Sequence, residues 1–230
     1  MGFDTATEDT AVCAWRDGEV LFESLLGLSE QGKPVHSTAL LGEVERAADA
    51  AGGWEAVDRI AVGLGPGSFT GLRVAIATAR ALGLSRGLPV SGVCTLDAIG
   101  LAIAELAGAS PRLAVIDARR GEVFAALYAP SGKRLWEPRV YAPQELAERV
   151  GALPAPPLAA GSGAVRFRRQ LASRGVEVPE TSDPVHRVAA RHICALAAAE
   201  PAGEGSLVPI YLRPPDAERW RERDSLQKQA

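Results

Sequence analysis

The 230-residue sequence predicts an α/β protein of two lobes that share one plan, each with a mixed sheet. In both halves an apolar strand ends in an aspartate, Asp4 or Asp117, and is followed by a polar turn and a return strand. A third extended segment follows, and helical patterns come next. This order is typical of two packed α/β lobes. The repeated segments are 2–4, 10–15 and 20–26 in the first half, and 113–117, 122–128 and 135–141 in the second.

The rest of the first lobe follows from hydrophobic periodicity and from capping residues. We expect His36 to begin a helix, with Ser37 or Thr38 supplying the capping oxygen. Thr95 is expected to cap the last helix of this lobe. The predicted elements are a helix over 36–51, a strand over 60–62, a helix over about 70–85, a strand over 90–93 and a helix over 95–106.

The second lobe is expected to begin after a small-residue connection at 107–111. Its later elements are a helix that begins at Pro143, a proline-rich connector over 154–157, a strand over 158–160, a helix near 187–199 and a closing segment over 210–213. We therefore predict a first lobe over 1–108 that carries the partner-binding helices. The second lobe spans 109–213, with its last segment packing back on the first, and 214–230 form a frayed, charged tail.

The charge balance argues against a chain whose main task is to hold a nucleic-acid backbone. The net charge is −3 and the isoelectric point is about 5.7. One local basic stripe is interpreted as a solvated helix face. It consists of Arg166, Arg168, Arg169 and Arg174.

The three cysteines, Cys13, Cys94 and Cys194, are scattered among apolar neighbours and are interpreted as buried thiols in a reducing compartment. No apolar run approaches the roughly 20 residues of a membrane helix, and the N-terminus lacks a signal-peptide pattern. We therefore expect a cytoplasmic protein. The chain begins only a few residues before Asp4, so a missing or misassigned start stays an open alternative.

The most informative stretch is Val-Gly-Leu-Gly-Pro-Gly-Ser-Phe-Thr-Gly-Leu-Arg at 62–73. Glycines before a helix suit either an anion at the helix N-terminus or a tight chain reversal. The spacing is neither that of a P-loop nor that of the dinucleotide-binding fingerprint, and reversal is the favoured reading. The residues of this glycine loop that we single out are Gly63, Gly65, Pro66, Gly67, Ser68, Thr70 and Gly71.

The glycine loop resembles the signature of the TsaB family, formerly called YeaZ. Further matching words follow in order over roughly residues 2–213, so the resemblance covers nearly the whole chain. They are Asp4-Thr5-Ala6-Thr7, His36-Ser37 with Leu40-Leu41, Asp117-Ala118-Arg119 with Gly121-Glu122-Val123, and Pro209-Ile210-Tyr211-Leu212-Arg213.

The resemblance implies the duplicated actin-like fold, which is ribonuclease-H-like in each half and is also called the ASKHA fold. It further implies a non-catalytic subunit in the synthesis of threonylcarbamoyladenosine at position 37 of tRNA. The implied partner is a TsaD-like catalytic subunit in a heterodimer, joined by a TsaE-like ATPase, with tRNA reached indirectly through the complex. No cofactor of its own and no membrane partner are expected. ATP or ADP at the subunit interface is compatible with this role, as is a homodimer of the isolated chain.

In TsaB-like proteins the two helices that correspond to 36–51 and 70–85 pack against the equivalent pair of the catalytic subunit. The second helix is apolar nearly all round, so its pattern alone leaves an internal core equally open. The expected interface residues are His36, Leu40, Leu41, Val44, Phe69, Leu72, Arg73, Ile76 and Arg80.

Relatives of this fold hold ATP between their lobes, with magnesium-linked aspartates at the places of Asp4 and Asp117. Here the first turn has no glycine and adds Glu8 and Asp9, whose charges would repel a triphosphate. Asp4 is therefore interpreted as a turn former. The residues of a candidate vestigial nucleotide cleft are Asp4, Thr5, Asp117, Gly161 and Gly163.

Catalytic relatives also carry a His-x-x-x-His metal pair on a helix. In this sequence Leu40 stands at the second position, so we expect no metal site and no catalytic residue. Two alternatives stay open: an ATP-dependent transferase or kinase acting on its own, and a tRNA-binding module that uses Arg119, Arg166, Arg168 and Arg169. The charged turn at 117–122 either guides a partner or an RNA, or simply faces solvent.

Overall fold

The computed structural model describes residues 1–201, 203 and 207–213. A five-stranded sheet forms the centre of the first lobe, with the strand order β3-β2-β1-β4-β5. Strand β1 runs antiparallel to β2 and parallel to β4, so the sheet is mixed as expected. Its strands are β1 (Gly2–Asp4), β2 (Thr10–Arg16), β3 (Glu19–Leu26), β4 (Ile60–Gly63) and β5 (Val90–Val93).

The second sheet repeats this order with one strand fewer, as β8-β7-β6-β9. Strand β6 is antiparallel to β7 and parallel to β9, as β1 is to β2 and β4. The duplicated plan predicted from the two hairpins is therefore confirmed. The strands are β6 (Arg112–Asp117), β7 (Val123–Tyr128), β8 (Arg134–Tyr141) and β9 (Leu158–Ala160).

Helices cover the side of each sheet that points away from the other sheet, and they also fill the space between the sheets. The first two helices pack on one face of the first sheet, against Phe3, Val12 and Val62. The fourth, fifth and sixth helices cover the side of the second sheet that points away from the first sheet, against Leu113 and Val115. The helices are α1 (His36–Ala51), α2 (Phe69–Arg86), α3 (Thr95–Ala107), α4 (Pro143–Gly151), α5 (Ser162–Arg166), α6 (Arg168–Ala172) and α7 (Ala190–Ala198).

The two inner helices are exchanged between the halves of the chain. Helix α3 follows the first sheet in sequence but packs on β6, β7 and β9 of the second. Helix α7 comes from the second half but packs on β1, β2 and β4 of the first. The lobes are thus joined by a shared inner layer, and the predicted lobe limits stay a prediction.

The closing segment is irregular and returns to the first lobe. The N–H of Ile210 donates to the carbonyl of Leu64 at 2.8 Å, directly before the glycine loop. The predicted tail at 214–230 lies outside the described residues. No helix in the described part of the chain is long and apolar enough to cross a membrane. The three cysteines are buried and free, as predicted.

Three local predictions are wrong. No side chain caps α1; instead Thr38 donates its hydroxyl to the carbonyl of Val35. Thr95 does not cap α3, because its hydroxyl is engaged with Asp4. The last helix begins at Ala190 rather than near residue 187, because Pro184–His186 form a separate 3-10 turn.

Candidate functional site

The glycine loop packs directly on the backbone of the first hairpin turn. A Cβ on Gly67 would lie 2.1 Å from the carbonyl oxygen of Ala6, and one on Gly71 would lie 1.9 Å from that of Thr5. Hydrogen bonds join the same segments: Ser68 N–H donates to the Ala6 carbonyl at 2.7 Å, and the Thr5 hydroxyl donates to the Gly71 carbonyl at 2.7 Å. The glycines therefore serve close backbone approach, as the chain-reversal interpretation requires.

Asp4 lies beneath this contact and is fully buried. Its carboxylate accepts the N–H of Ala6 at 2.7 Å and the hydroxyl of Thr95 at 2.6 Å. A Cβ on Gly63 would lie 1.7 Å from Asp4 Oδ2, so the glycine lets the backbone pack directly on the carboxylate, which is 1% exposed. Burial raises the pKa of Asp4 above its usual value, although the Thr95 hydrogen bond acts in the opposite direction. This geometry agrees with the interpretation of Asp4 as a turn former.

The other residues of the candidate nucleotide cleft are also buried or in contact with neighbouring residues of the chain. Thr5 is fully buried. Asp117 accepts a hydrogen bond from Arg166 at 2.6 Å. Gly161 and Gly163 lie against β6, where an added Cβ would meet the Val115 carbonyl oxygen at 2.2 Å and Val115 Cγ1 at 2.8 Å, respectively. Their role as a vestigial cleft stays a prediction.

Ion pairs join the two hairpin turns at the opening of the candidate nucleotide cleft, which we call its mouth. Arg119, on the turn between β6 and β7, pairs with Glu8 on the turn between β1 and β2. Arg187 binds Asp9 through two hydrogen bonds of 2.9 and 2.5 Å. Arg213 donates to the Ala118 carbonyl at 3.1 Å, so the closing segment holds the base of the second turn. The charged turn at 117–122 therefore contacts the first hairpin turn through Arg119 and the closing segment through Ala118.

A row of exposed side chains follows one side of α2. These residues lie three or four apart, the spacing of one helix face. Leu84 is 88% exposed and Phe69 is 40% exposed, while Leu41 on neighbouring α1 is 61% exposed. We call this surface the outer face. It consists of Leu41, Phe69, Arg73, Ala77, Arg80 and Leu84.

Comparison with known proteins places this chain among tRNA-modification proteins. Residues 30–176 match the family model described as TsaD: tRNA N6-adenosine threonylcarbamoyltransferase. The chain is 40% identical over 213 residues to an uncharacterised Mycobacterium tuberculosis protein, covering 91% of each. It is 36% identical over 137 residues to Escherichia coli TsaB, covering 59% of this chain and 57% of TsaB.

The fold agrees with solved structures from Pseudomonas aeruginosa. One, described as an uncharacterised protein with similarity to peptidase YEAZ, superposes with a TM-score of 0.74 at 28% identity, covering 92% of this chain and 98% of that one. YeaZ itself superposes with a TM-score of 0.69 at 28% identity, covering 86% and 90%. The chain belongs to the TsaB family. The resemblance seen in the sequence is confirmed, and with it the duplicated fold.

The expected partner-contact residues of this TsaB-family chain divide into two groups. Five of them belong to the interior of the lobe, because α1 and α2 turn these sides toward the sheet. All five are buried, so they offer a partner no exposed surface in this structure, and their contact role stays a prediction; they are His36, Leu40, Val44, Leu72 and Ile76. The other four are exposed, and their contact with a partner stays a prediction; they are Leu41, Phe69, Arg73 and Arg80. Leu84 was missed, since a helix apolar nearly all round does not indicate which side is buried.

His36, which begins α1, is buried beside the first hairpin. Its Nδ1 lies 2.9 Å from the hydroxyl of Thr10, and burial lowers the pKa of the imidazole. In the described part of the chain, no group of three or more His, Cys, Asp or Glu side chains could hold a metal ion.

The basic stripe of the TsaB-family chain is not simply a solvated helix face. Its residues fall on two short helices, α5 and α6, and the loop after them. Arg168 is half-buried and donates to the carbonyls of Val178 at 2.5 Å and Pro179 at 2.6 Å. Arg166 is paired with Asp117. Arg169 and Arg174 are exposed and take no part in these contacts, so the interpretation of the stripe as a solvated face is corrected for Arg168.

Proposed function

We propose that this chain is a non-catalytic subunit in the synthesis of tRNA N6-threonylcarbamoyladenosine, which binds and activates a TsaD-type transferase. Relatives from Escherichia coli and Bacillus subtilis carry the name tRNA threonylcarbamoyladenosine biosynthesis protein TsaB. The family therefore supports involvement in this pathway. The subunit role and the partner are our inference.

The observation that carries the proposal is the outer face. Leu84 and Leu41 are large apolar side chains that keep most of their surface in water. Fully burying one such side chain stabilises a complex by about 1.5–3 kcal/mol. Scattered exposed leucines are ordinary, but Leu84 shares its side of α2 with Phe69 and the small residue Ala77, which permits close helix approach. A pair of helices from a partner subunit fits such a surface.

The glycine loop and the first turn favour a structural role over catalysis. Asp4, the carboxylate at the position where related enzymes hold a metal, is buried and packed directly against Gly63. The helix N-terminus that could face a phosphate instead faces the backbone of Thr5 and Ala6. Activation would then come from differential affinity: docking stabilises the competent conformation of the transferase.

The test uses the outer face at its most exposed point. The chain is mixed with the TsaD-type subunit of the same genome, and the affinity is measured by isothermal titration calorimetry. Leu84→Glu should weaken binding by about 100-fold, because a charge would be buried at the contact. Leu135→Glu is the matched control, since Leu135 is 51% exposed on β8 in the other lobe. It should bind like the wild type.

Modification of tRNA by the mixture should fall in parallel with binding. Failure of the wild-type chain to associate would overturn the function, and undisturbed association of Leu84→Glu would overturn the docking face. Ile76 is unsuitable for this test, because it is 4% exposed and a charge there would report on folding. A TsaE-like ATPase and ATP or ADP at the subunit interface remain further parts of the proposal. Their binding can be measured on the purified heterodimer.

A further inference from the structure

Arg73 and Arg80 on α2 differ from the ion-paired arginines of the chain. Arg134 is held by Asp97 and Arg187 by Asp9, as are several other arginines by carboxylates. Helix α2 contains no acidic residue, and neither Arg73 nor Arg80 forms an ion pair within residues 1–201, 203 and 207–213. The outer face therefore carries two cations that are not neutralised there.

Both cations are held in place by contacts other than ion pairs. The guanidinium of Arg73 lies 4.0 Å from the centre of the Phe69 ring. Arg80 Nη2 donates to the carbonyl of Leu207 at 3.0 Å. Side chains that are already ordered lose less conformational entropy when a partner binds them.

The segment 207–213 holds Arg80 directly and packs against the ring on which Arg73 stacks. Its Tyr211 ring lies 5.4 Å from that of Phe69, the ring on which Arg73 stacks. Its Leu207 carbonyl holds Arg80, and its Ile210 is tied to Leu64. One segment thus positions both arginines at the edge of the outer face.

The spacing of the arginines defines what they would recognise. They are seven residues apart, which is about two turns and roughly 10.5 Å along the helix axis. Ala77 lies between them on the same side of α2, and Phe69 and Leu84 lie beyond them. A complementary surface is therefore apolar, with two negative charges at a similar separation.

We infer that Arg73 and Arg80 select a partner surface that carries two carboxylates about two helical turns apart on an apolar background, and that the segment 207–213 positions them. This inference rests on the proposed function and names the chemistry of the TsaD-type surface that docks there.

The test measures the affinity of the wild type and of Arg73→Gln and Arg80→Gln for the TsaD-type subunit at about 50 mM and about 500 mM salt. Each substitution should weaken binding by about 10-fold at low salt, and the difference should shrink at high salt. Arg86→Gln is the matched control: Arg86 also lies on α2 but stacks on Trp54, away from the outer face. It should bind like the wild type at both salt concentrations.

The positioning role is tested through Tyr211. Tyr211→Ala should weaken binding, and its effect should be less than additive with Arg73→Gln, because both act through one stack. Tyr211→Phe keeps the ring and should restore the wild-type affinity. Strictly additive effects, or failure of Tyr211→Phe to restore binding, would overturn the positioning role.

The outcomes separate this inference from the function on which it rests. If the wild type does not bind the TsaD-type subunit, the proposed function fails. If the wild type binds and both Gln variants bind equally well at both salt concentrations, the function stands and the selection by arginine is overturned.

Discussion

The hydroxyl of Thr95 donates a 2.6 Å hydrogen bond to Asp4, 91 residues earlier in the chain. The same hydroxyl accepts the N–H of Gly65 at 3.1 Å, and the Thr95 N–H donates to the Gly65 carbonyl at 2.7 Å. Three segments therefore meet at one buried side chain: the end of β1, the glycine loop and the start of α3. Because α3 packs on the second sheet, this contact also joins the two lobes.

Thr95→Val should destabilise the protein by about 2–3 kcal/mol. The substitution preserves the side-chain volume but leaves the Asp4 carboxylate and the Gly65 N–H without their buried partner. The free energy of unfolding is measured by urea denaturation. Thr95→Ser keeps the hydroxyl and should cost about 1 kcal/mol or less. Equal losses for the two variants would mean that packing of the methyl group, not hydrogen bonding, explains the position.

Asp4 should make stability depend on pH in the direction opposite to that of an ion-paired carboxylate. Burial raises its pKa in the folded protein, so the folded state binds its proton more tightly than the unfolded state does. The contribution of Asp4 is therefore most favourable at low pH and is lost as the pH rises through the raised pKa.

The check compares the wild type with Asp4→Asn by urea denaturation between about pH 3 and pH 8, a range that begins below the ordinary pKa of an aspartate. The asparagine does not titrate, and all other groups are shared, so the difference isolates Asp4. The stability of the wild type relative to Asp4→Asn should increase as the pH is lowered. A difference that stays constant over this range would contradict the raised pKa.

The glycines of the chain offer a matched pair for testing the loop contact. Gly71→Ala should destabilise the protein by about 2–4 kcal/mol, because the new Cβ would lie 1.9 Å from the Thr5 carbonyl oxygen. A Cβ on Gly42, on the exposed side of α1, would meet no atom within 4 Å. Gly42→Ala should therefore stabilise the protein by about 0.5–1 kcal/mol. Thermal unfolding of both variants decides the point. A mild effect at Gly71 would show that the loop can move away from the first turn.

The sequence predicts those parts of the fold that depend on short segments of the chain. The bounds of α1, β5 and β9 agree with those expected, because helical periodicity and strand length are properties of short segments. The resemblance between the two hairpins correctly predicts the duplicated sheets. The exchange of α3 and α7 is invisible at this level, since periodicity shows which side of a helix is buried but not which sheet buries it.

The predicted contact residues lie on both the buried and the exposed sides of α1 and α2, and their contact with a partner stays a prediction. Leu72 and Ile76 on α2 are buried, whereas Phe69 and Leu84 are exposed, so large apolar residues occur on both sides of this helix. Periodicity finds a face only where polar residues mark the opposite one. Thr95 is a comparable case: it has the sequence context of a helix cap, yet a distant buried carboxylate binds its hydroxyl.

The isolated chain should not bind ATP with magnesium in its own cleft. Asp4 is packed against the glycine loop, and backbone contacts fill the space in front of the helix N-terminus. The Glu8–Arg119 pair also joins the two turns at the mouth. Titration calorimetry at up to about 1 mM nucleotide, the weak end of useful affinities, should show no saturable binding.

Arg119→Ala removes the pair at the mouth and should not create binding either, because the deeper contacts remain. Micromolar binding by the isolated chain that Asp117→Asn abolishes would instead favour an enzyme acting on its own, and the cleft would then have to open in solution.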